Sequence, residues 1–119
     1  MYIELQRQDV KWYQGTSYND SIVLQNENKE PVSLSSGDKI IYGIKPHYSE
    51  ECILEKVLTL QDEINGEYPI HFTPEEMDIE PDEYEYDAGV QTADGEFIKI
   101  IPPSTFEILK SITKKKAVK

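Results

Sequence analysis

The densest run of side chains able to do chemistry is Asp78, Glu80, Asp82, Glu83, Glu85 and Asp87, six carboxylates within ten residues. Hard oxygen donors bunched in a loop are what a calcium ion requires. The spacing does not make an EF-hand, because no Gly stands at the sixth position of a twelve-residue loop and no Glu takes the place of its bidentate ligand. His47, His71 and Cys52 are too few for a four-ligand structural zinc. No G-x-S-x-G elbow occurs, neither His has a neighbouring Ser or Cys signature, and no Gly-rich loop could cradle a phosphate. Carboxylate pairs are plentiful, but a glycosidase needs them set across a pocket, and no pocket pattern surrounds these. The residues therefore point away from an enzyme, with no metal and no cofactor expected.

Charge points the same way. The last ten residues hold Lys110, Lys114, Lys115, Lys116 and Lys119, so residues 1–109 carry seven bases against twenty-three acids, a net of −16. Between Lys56 and Lys99 there are thirteen Asp and Glu and no Lys or Arg. Such a face repels nucleic acid and anionic membrane. It reads as a solvated, solubilising surface or as a docking surface for a basic partner. The lone Cys52 has no internal disulfide partner, and the start MYIELQRQD is charged where a secretion signal needs an apolar run. The expected compartment is a reducing cytoplasm.

The elements that must position these residues are strands. At 119 residues the chain reads as one domain, able to bury roughly two-thirds of its unfolded surface around one core. Residues 1–109 form the domain and 110–119 a basic tail, expected to be mobile or used for docking. Tyr2 to Gln6 alternates and reads as a first strand, followed by a polar link from Arg7 to Gly15 in which Trp12 is half-buried. Ser21 to Gln25 reads as a second strand, ended by the turn Asn26 to Pro31. Lys39 to Lys45 (KIIYGIK) is β-branched and apolar, and Pro46 closes it. Glu51 to Leu60 fits a helical face as well as a strand. It is assigned to a strand, because the flanking strands and the Asn65-Gly66 turn make a meander. Glu67 to Phe72 turns Tyr68, Ile70 and Phe72 inward, with Pro69 marking an edge or bulge.

Thr73, Pro74, Glu75 and Glu76 supply a capping hydroxyl, a proline set for the first helical position and a carboxylate that reaches back, and Pro81 stops the turn they begin. Tyr84, Tyr86, Ala88 and Val90 then alternate with polar residues as a half-buried strand. Asp94-Gly95 is expected to supply the positive φ angles of a tight hairpin into Ile98 to Leu109, a strand broken at Pro102-Pro103. The expected core is Ile22, Leu24, Ile41, Leu54, Tyr68, Ile70, Phe72, Tyr86, Val90 and Phe106. The expected fold is all-β: an antiparallel, immunoglobulin-like β-sandwich of seven to eight short strands with one helical turn. A small barrel is the alternative. In such sandwiches a tyrosine near the start of a late strand bonds back across the corner, two residues before a core position. Tyr84 has the place of the corner residue and Tyr86 that of the core position, or both are plain strand aromatics.

Three blocks carry a family resemblance. The first is Asn28-Lys29-Glu30-Pro31-Val32-Ser33-Leu34-Ser35 followed by Lys39-Ile40-Ile41-Tyr42-Gly43-Ile44-Lys45-Pro46. The second is Gly66 to Glu76, a strand running into Thr73-Pro74-Glu75-Glu76. The third joins Tyr84-Glu85-Tyr86-Asp87, Asp94-Gly95 and Thr105-Phe106-Glu107-Ile108. In this order they resemble the small immunoglobulin-like domains of tailed-phage tail and baseplate proteins, similar to the N-terminal domain of baseplate upper proteins. Two departures stand out: Asp82-Glu83 replaces the usual corner Gly, and Asp38 follows Gly37 where that family has a hydrophobic residue.

The resemblance implies a non-enzymatic structural component of a phage or prophage tail or baseplate, made in the bacterial cytoplasm and carried in the virion. Its partners would be other tail or baseplate proteins or copies of itself, with the isolated chain a monomer. The segregated charge suggests docking through Lys110, Lys114, Lys115 and Lys116 against Asp78, Glu80, Asp82 and Glu83 of another copy or a neighbour. A second reading from charge alone is an acidic DNA-mimic inhibitor of a DNA-binding protein.

Overall fold

A computed structural model describes residues 2–116. Seven strands run in chain order: β1 (Val10–Tyr13), β2 (Tyr18–Ile22), β3 (Lys39–Pro46), β4 (Leu54–Leu58), β5 (Tyr68–Phe72), β6 (Asp82–Gln91) and β7 (Phe97–Leu109). One 3-10 turn, Leu60–Asp62, separates β4 from β5. Five strands form one sheet in the order β1-β7-β6-β3-β4, and β2 and β5 form a second, two-stranded sheet. The fold is all-β. The larger sheet is mixed, because β1 pairs parallel to β7, Val10 opposite Phe106 and Tyr13 opposite Leu109, while its other pairings are antiparallel.

Aromatic rings close the space between the sheets. Tyr18 of β2 meets Phe106 of β7 edge-on at 5.0 Å, and Phe72 of β5 meets Tyr42 of β3 at 6.0 Å. Tyr86 of β6 stands between them, 5.3 Å from Tyr42 and 5.6 Å from Phe106. The strand period of two explains which residues arrive there. On β5 it buries Tyr68, Ile70 and Phe72, and on β6 it buries Tyr84, Tyr86, Ala88 and Val90.

Four sequence expectations need correction. Tyr2 to Gln6 forms no strand. Its backbone instead bonds to the segment after β2, Ile3 N–H to Gln25 O, and to β7, Leu5 N–H to Ile100 O. The first strand lies in the segment read as a polar link, because Trp12 and Tyr13 pair beside the last strand, a partner invisible to local pattern. The second strand is Tyr18–Ile22 rather than Ser21 to Gln25. Within β3 the phase is the reverse of that expected for Ile41: Ile40, Tyr42 and Ile44 are buried, Ile41 is half-buried on the outer face, and Leu54 is only partly buried.

The β6–β7 hairpin also differs. Of Asp94 and Gly95 only Gly95 has a positive φ, 97°. Thr92 N–H donates to Glu96 O and Gly95 N–H to Thr92 O, so the loop is the three-residue kind with a left-handed glycine, not a two-residue turn. Nor do Pro102-Pro103 break the last strand. The β6–β7 register shifts between Tyr86 and Ala88 and again between Ala88 and Gly89, so β7 carries the prolines in a bulged stretch without losing its partner. The shift also turns consecutive residues Ile100 and Ile101 both into the core.

Candidate docking surface

The corner from β5 to β6 is built from side chains that bond their own neighbourhood. Thr73 N–H donates to Glu76 Oε1 at 2.9 Å, and Glu76 N–H donates to Thr73 Oγ1 at 3.1 Å. This reciprocal pair is a capping box, and Met77 N–H to Thr73 O closes one helical turn that places Met77, fully buried, in the core. The Glu76 carboxylate is held below its usual range first by that Thr73 N–H and then by Lys56, whose Nζ lies 3.0 Å from Oε2. After Pro81 the chain enters β6, and Tyr84 Oη donates to the Glu80 carbonyl at 2.6 Å. Tyr86 Oη donates to Gln8 O and so ties the N-terminal segment to the same strand.

The six carboxylates that follow the turn do not converge. Asp78 faces the C-terminal segment, Lys114 Nζ lying 3.0 Å from its Oδ1. Asp82 accepts the Glu83 N–H at 2.8 Å, and both side chains are exposed. Glu85 and Asp87 lie on the outer face of β6. His47 Nδ1 is 2.9 Å from Glu85 Oε1 and Lys45 is 3.5 Å away, and the His47 bond is the main cause that holds Glu85 below its usual range. Asp87 pairs with Lys99 at 2.6 Å. Among the described residues no three of His, Cys, Asp and Glu come together to hold a metal ion. Three of the six, Asp78, Glu85 and Asp87, are met by cations from elsewhere in the chain, and Glu80, Asp82 and Glu83 are exposed.

The remaining candidates lie apart. His71 is on the outer side of β5, its Nδ1 2.7 Å from Asn19 Oδ1. Cys52 is exposed, and its sulfur lies over Gly43, where a Cβ would stand 2.6 Å from it. Partial burial, then the charges of Glu55 and Asp87, push its thiol upward, the reverse of an activated thiolate.

The C-terminal segment lies on its own chain's acidic corner. Lys114 reaches Asp78, and Lys115 Nζ lies 2.8 Å from Glu75 Oε1, the main cause that holds Glu75 below its usual range. Lys116 joins them around a shallow cavity of about 240 Å³ that also involves Gly15, Pro74, Glu75 and Asp78. Lys110 is exposed at the end of β7, and Lys119 lies outside the described residues. The pairing expected between copies is thus made within one chain for Asp78, and with Glu75 in place of Glu80, Asp82 or Glu83.

Sequence reading missed the pairings of Lys56, Lys45 and Lys99 with the acid run. The signal was present, since Lys56 and Lys99 bound that run. It also missed Asp38, which is 7% exposed and accepts Tyr2 Oη at 2.7 Å and Ala93 N–H at 3.0 Å. Asp38 therefore joins the N-terminal segment to the β6–β7 hairpin, which accounts for a carboxylate where a hydrophobic residue was expected.

No family model matches the chain, and no curated protein matches it. A solved structure from Bacteroides vulgatus ATCC 8482, described provisionally as a glycoside hydrolase, aligns with a TM-score of 0.46 at 15% identity, over 87% of this chain and 17% of that one. The chain thus spans less than a fifth of that protein's length, and a likeness at this level says nothing of what the chain does.

Proposed function

We propose that the chain is a non-enzymatic structural module: an immunoglobulin-like β-sandwich that docks by protein–protein contacts within a phage or prophage tail or baseplate. Strand order supports the sandwich reading. The run β7-β6-β3-β4 corresponds to strands G, F, C and C′ of a variable-type sandwich, and β2-β5 to strands B and E. The bond from Tyr84 to the Glu80 carbonyl, at the start of the strand that corresponds to F, has the form of a tyrosine corner.

The observation that carries docking is the rim around β4. Ile53 and Val57 are 45% and 48% exposed there, Leu60 and Ile64 are 38% and 61% exposed in the segment that follows, and one edge of β4 has no strand beside it among the described residues. Exposed apolar side chains beside an open edge are surfaces that other chains cover. The test is to purify particles from the native source and identify their proteins by mass spectrometry. The chain is expected in the tail or baseplate fraction at fixed stoichiometry. Recovery only from the particle-free lysate would overturn the proposal.

A further inference from the structure

The C-terminal segment closes over the β5–β6 corner as a strap, and its fit there is incomplete in two respects. Ile112, between the end of β7 and the two paired lysines, is 94% exposed. Beneath Lys114, Lys115 and Lys116 the strap leaves the cavity of about 240 Å³ unfilled. It is therefore held by ion pairs and not by packing. Both pairs are open to water, the side chains of Lys114 and Asp78 being 46% and 54% exposed and those of Lys115 and Glu75 47% and 67%. Pairs this exposed are weak and screened by salt.

The surface under the strap does not depend on it. Glu76, not Glu75 or Asp78, makes the capping box, and Met77 anchors the turn in the core. Gly15 N–H donates to Met77 O and Gln14 Nε2 to Ile79 O, so the β1–β2 loop braces the corner by bonds that do not involve the strap. A rigid acidic corner thus faces a loosely held basic strap on the same molecule.

We propose that this strap is exchangeable: the corner formed by Glu75 and Asp78 takes the Lys114-Lys115 segment of its own chain when isolated, and that of a second copy when copies are crowded together. The contacts are the same in both states, so the exchange exchanges like for like and concentration decides between them, as in the swapping of any element between identical chains. Ile112 then moves with the strap toward the second copy, whose surface it can meet. What the exchange would serve rests on the docking function proposed above. Whether it occurs does not.

The test uses two full-length charge-reversed variants, K114E/K115E and E75K/D78K. Each carries strap and corner of like charge, so neither closes on itself or on its own kind, whereas strap and corner are complementary in both directions when the two are mixed. Sedimentation velocity at low salt is expected to show monomers for each variant alone and a species of at least twice the mass for the equimolar mixture, lost at high salt. Circular dichroism of each variant alone shows that the fold is intact, the changed residues all being exposed. A mixture that stays monomeric at every concentration tried would overturn the proposal. So would self-association of either variant alone to the same extent, since the contact would then not run through these charges. Absence of the chain from purified particles would remove the tail role and leave this result standing.

Discussion

The corner and the strap meet at Asp78 but are held in opposite ways. Thr73 to Tyr84 is fixed by bonds that span three or four residues, two of them in a capping box and one from Tyr84 to Glu80, and it is anchored by the buried Met77. The strap is fixed by two exposed ion pairs to residues 36 and 40 positions away. Short-range bonds around a buried anchor specify a shape in any solvent. Exposed long-range charges specify a preference that salt and competing partners can change.

The largest way to break the comparison is to remove the scaffold under both. Phe72 leads into the corner and Phe106 carries the strand that leads into the strap, and both are fully buried. Truncating either to Ala is expected to cost ~3–5 kcal/mol in chemical denaturation. A loss below about 1 kcal/mol at both would mean that the packing between the sheets is not as described.

Next in size is alkaline lability. Burial is the main cause that raises the hydroxyls of Tyr18 and Tyr42, and it pushes Tyr86 up to about 12 from 10.0. Folding therefore favours the protonated tyrosines. Their contribution is fully present below pH 10; that of Tyr86 is lost as pH rises from there through about 12, and those of Tyr18 and Tyr42, raised further, go on being lost at higher pH. The thermal midpoint of the native chain is expected to fall across that window. Phe at position 86 is expected to flatten the fall, and an equal slope in mutant and parent would place the lability elsewhere.

Smaller effects separate the two regions. Thr73→Ala removes the capping hydroxyl and is expected to cost ~1 kcal/mol. Tyr84→Phe leaves the Glu80 carbonyl without its donor and is expected to cost ~1 kcal/mol or somewhat more. Both losses should be the same at low and high salt. Glu76 adds a pH dependence of the opposite sense to that of the tyrosines. Its carboxyl is depressed, so what it contributes is present above the usual carboxylate range and is lost as pH falls through the lowered value. Glu76→Gln should remove that acid sensitivity. By contrast, removing residues 110 to 119 is expected to leave the thermal midpoint within about a degree at high salt, because the strap contributes charge pairs and almost no burial.

The same contrast explains what could be read from the sequence. The capping box, the inward face of β5 and the inward face of β6 are written in neighbouring residues, and Thr73, Glu76, Tyr68, Phe72 and Tyr86 were legible as such. The parallel partner of Val10 to Tyr13 lies 96 residues away, so nothing local distinguished that strand from a link. Ile40 and Ile41 are adjacent and chemically identical, so pattern could not choose which one faces inward. It was settled by pairing with β6, where Ile40 lies opposite the buried Val90 and Ile41 opposite Gly89. Phe97 lies across that glycine, where a Cβ would come within 2.4 Å of its ring. On the docking surface, the charges of Asp78 and Lys114 were legible, but whether the lysine belongs to the same chain or another is a question of geometry that composition does not hold.

The claim that the corner is a docking surface for a basic segment is tested most directly by amide chemical shifts. Spectra of the full chain and of a chain ending at residue 109 should differ at Gly15, Glu75 and Asp78 and agree at Tyr42, Phe72 and Tyr86, and raising the salt should move the full chain's spectrum toward that of the shorter one. Superposable spectra at Glu75 and Asp78, at low salt, would contradict it.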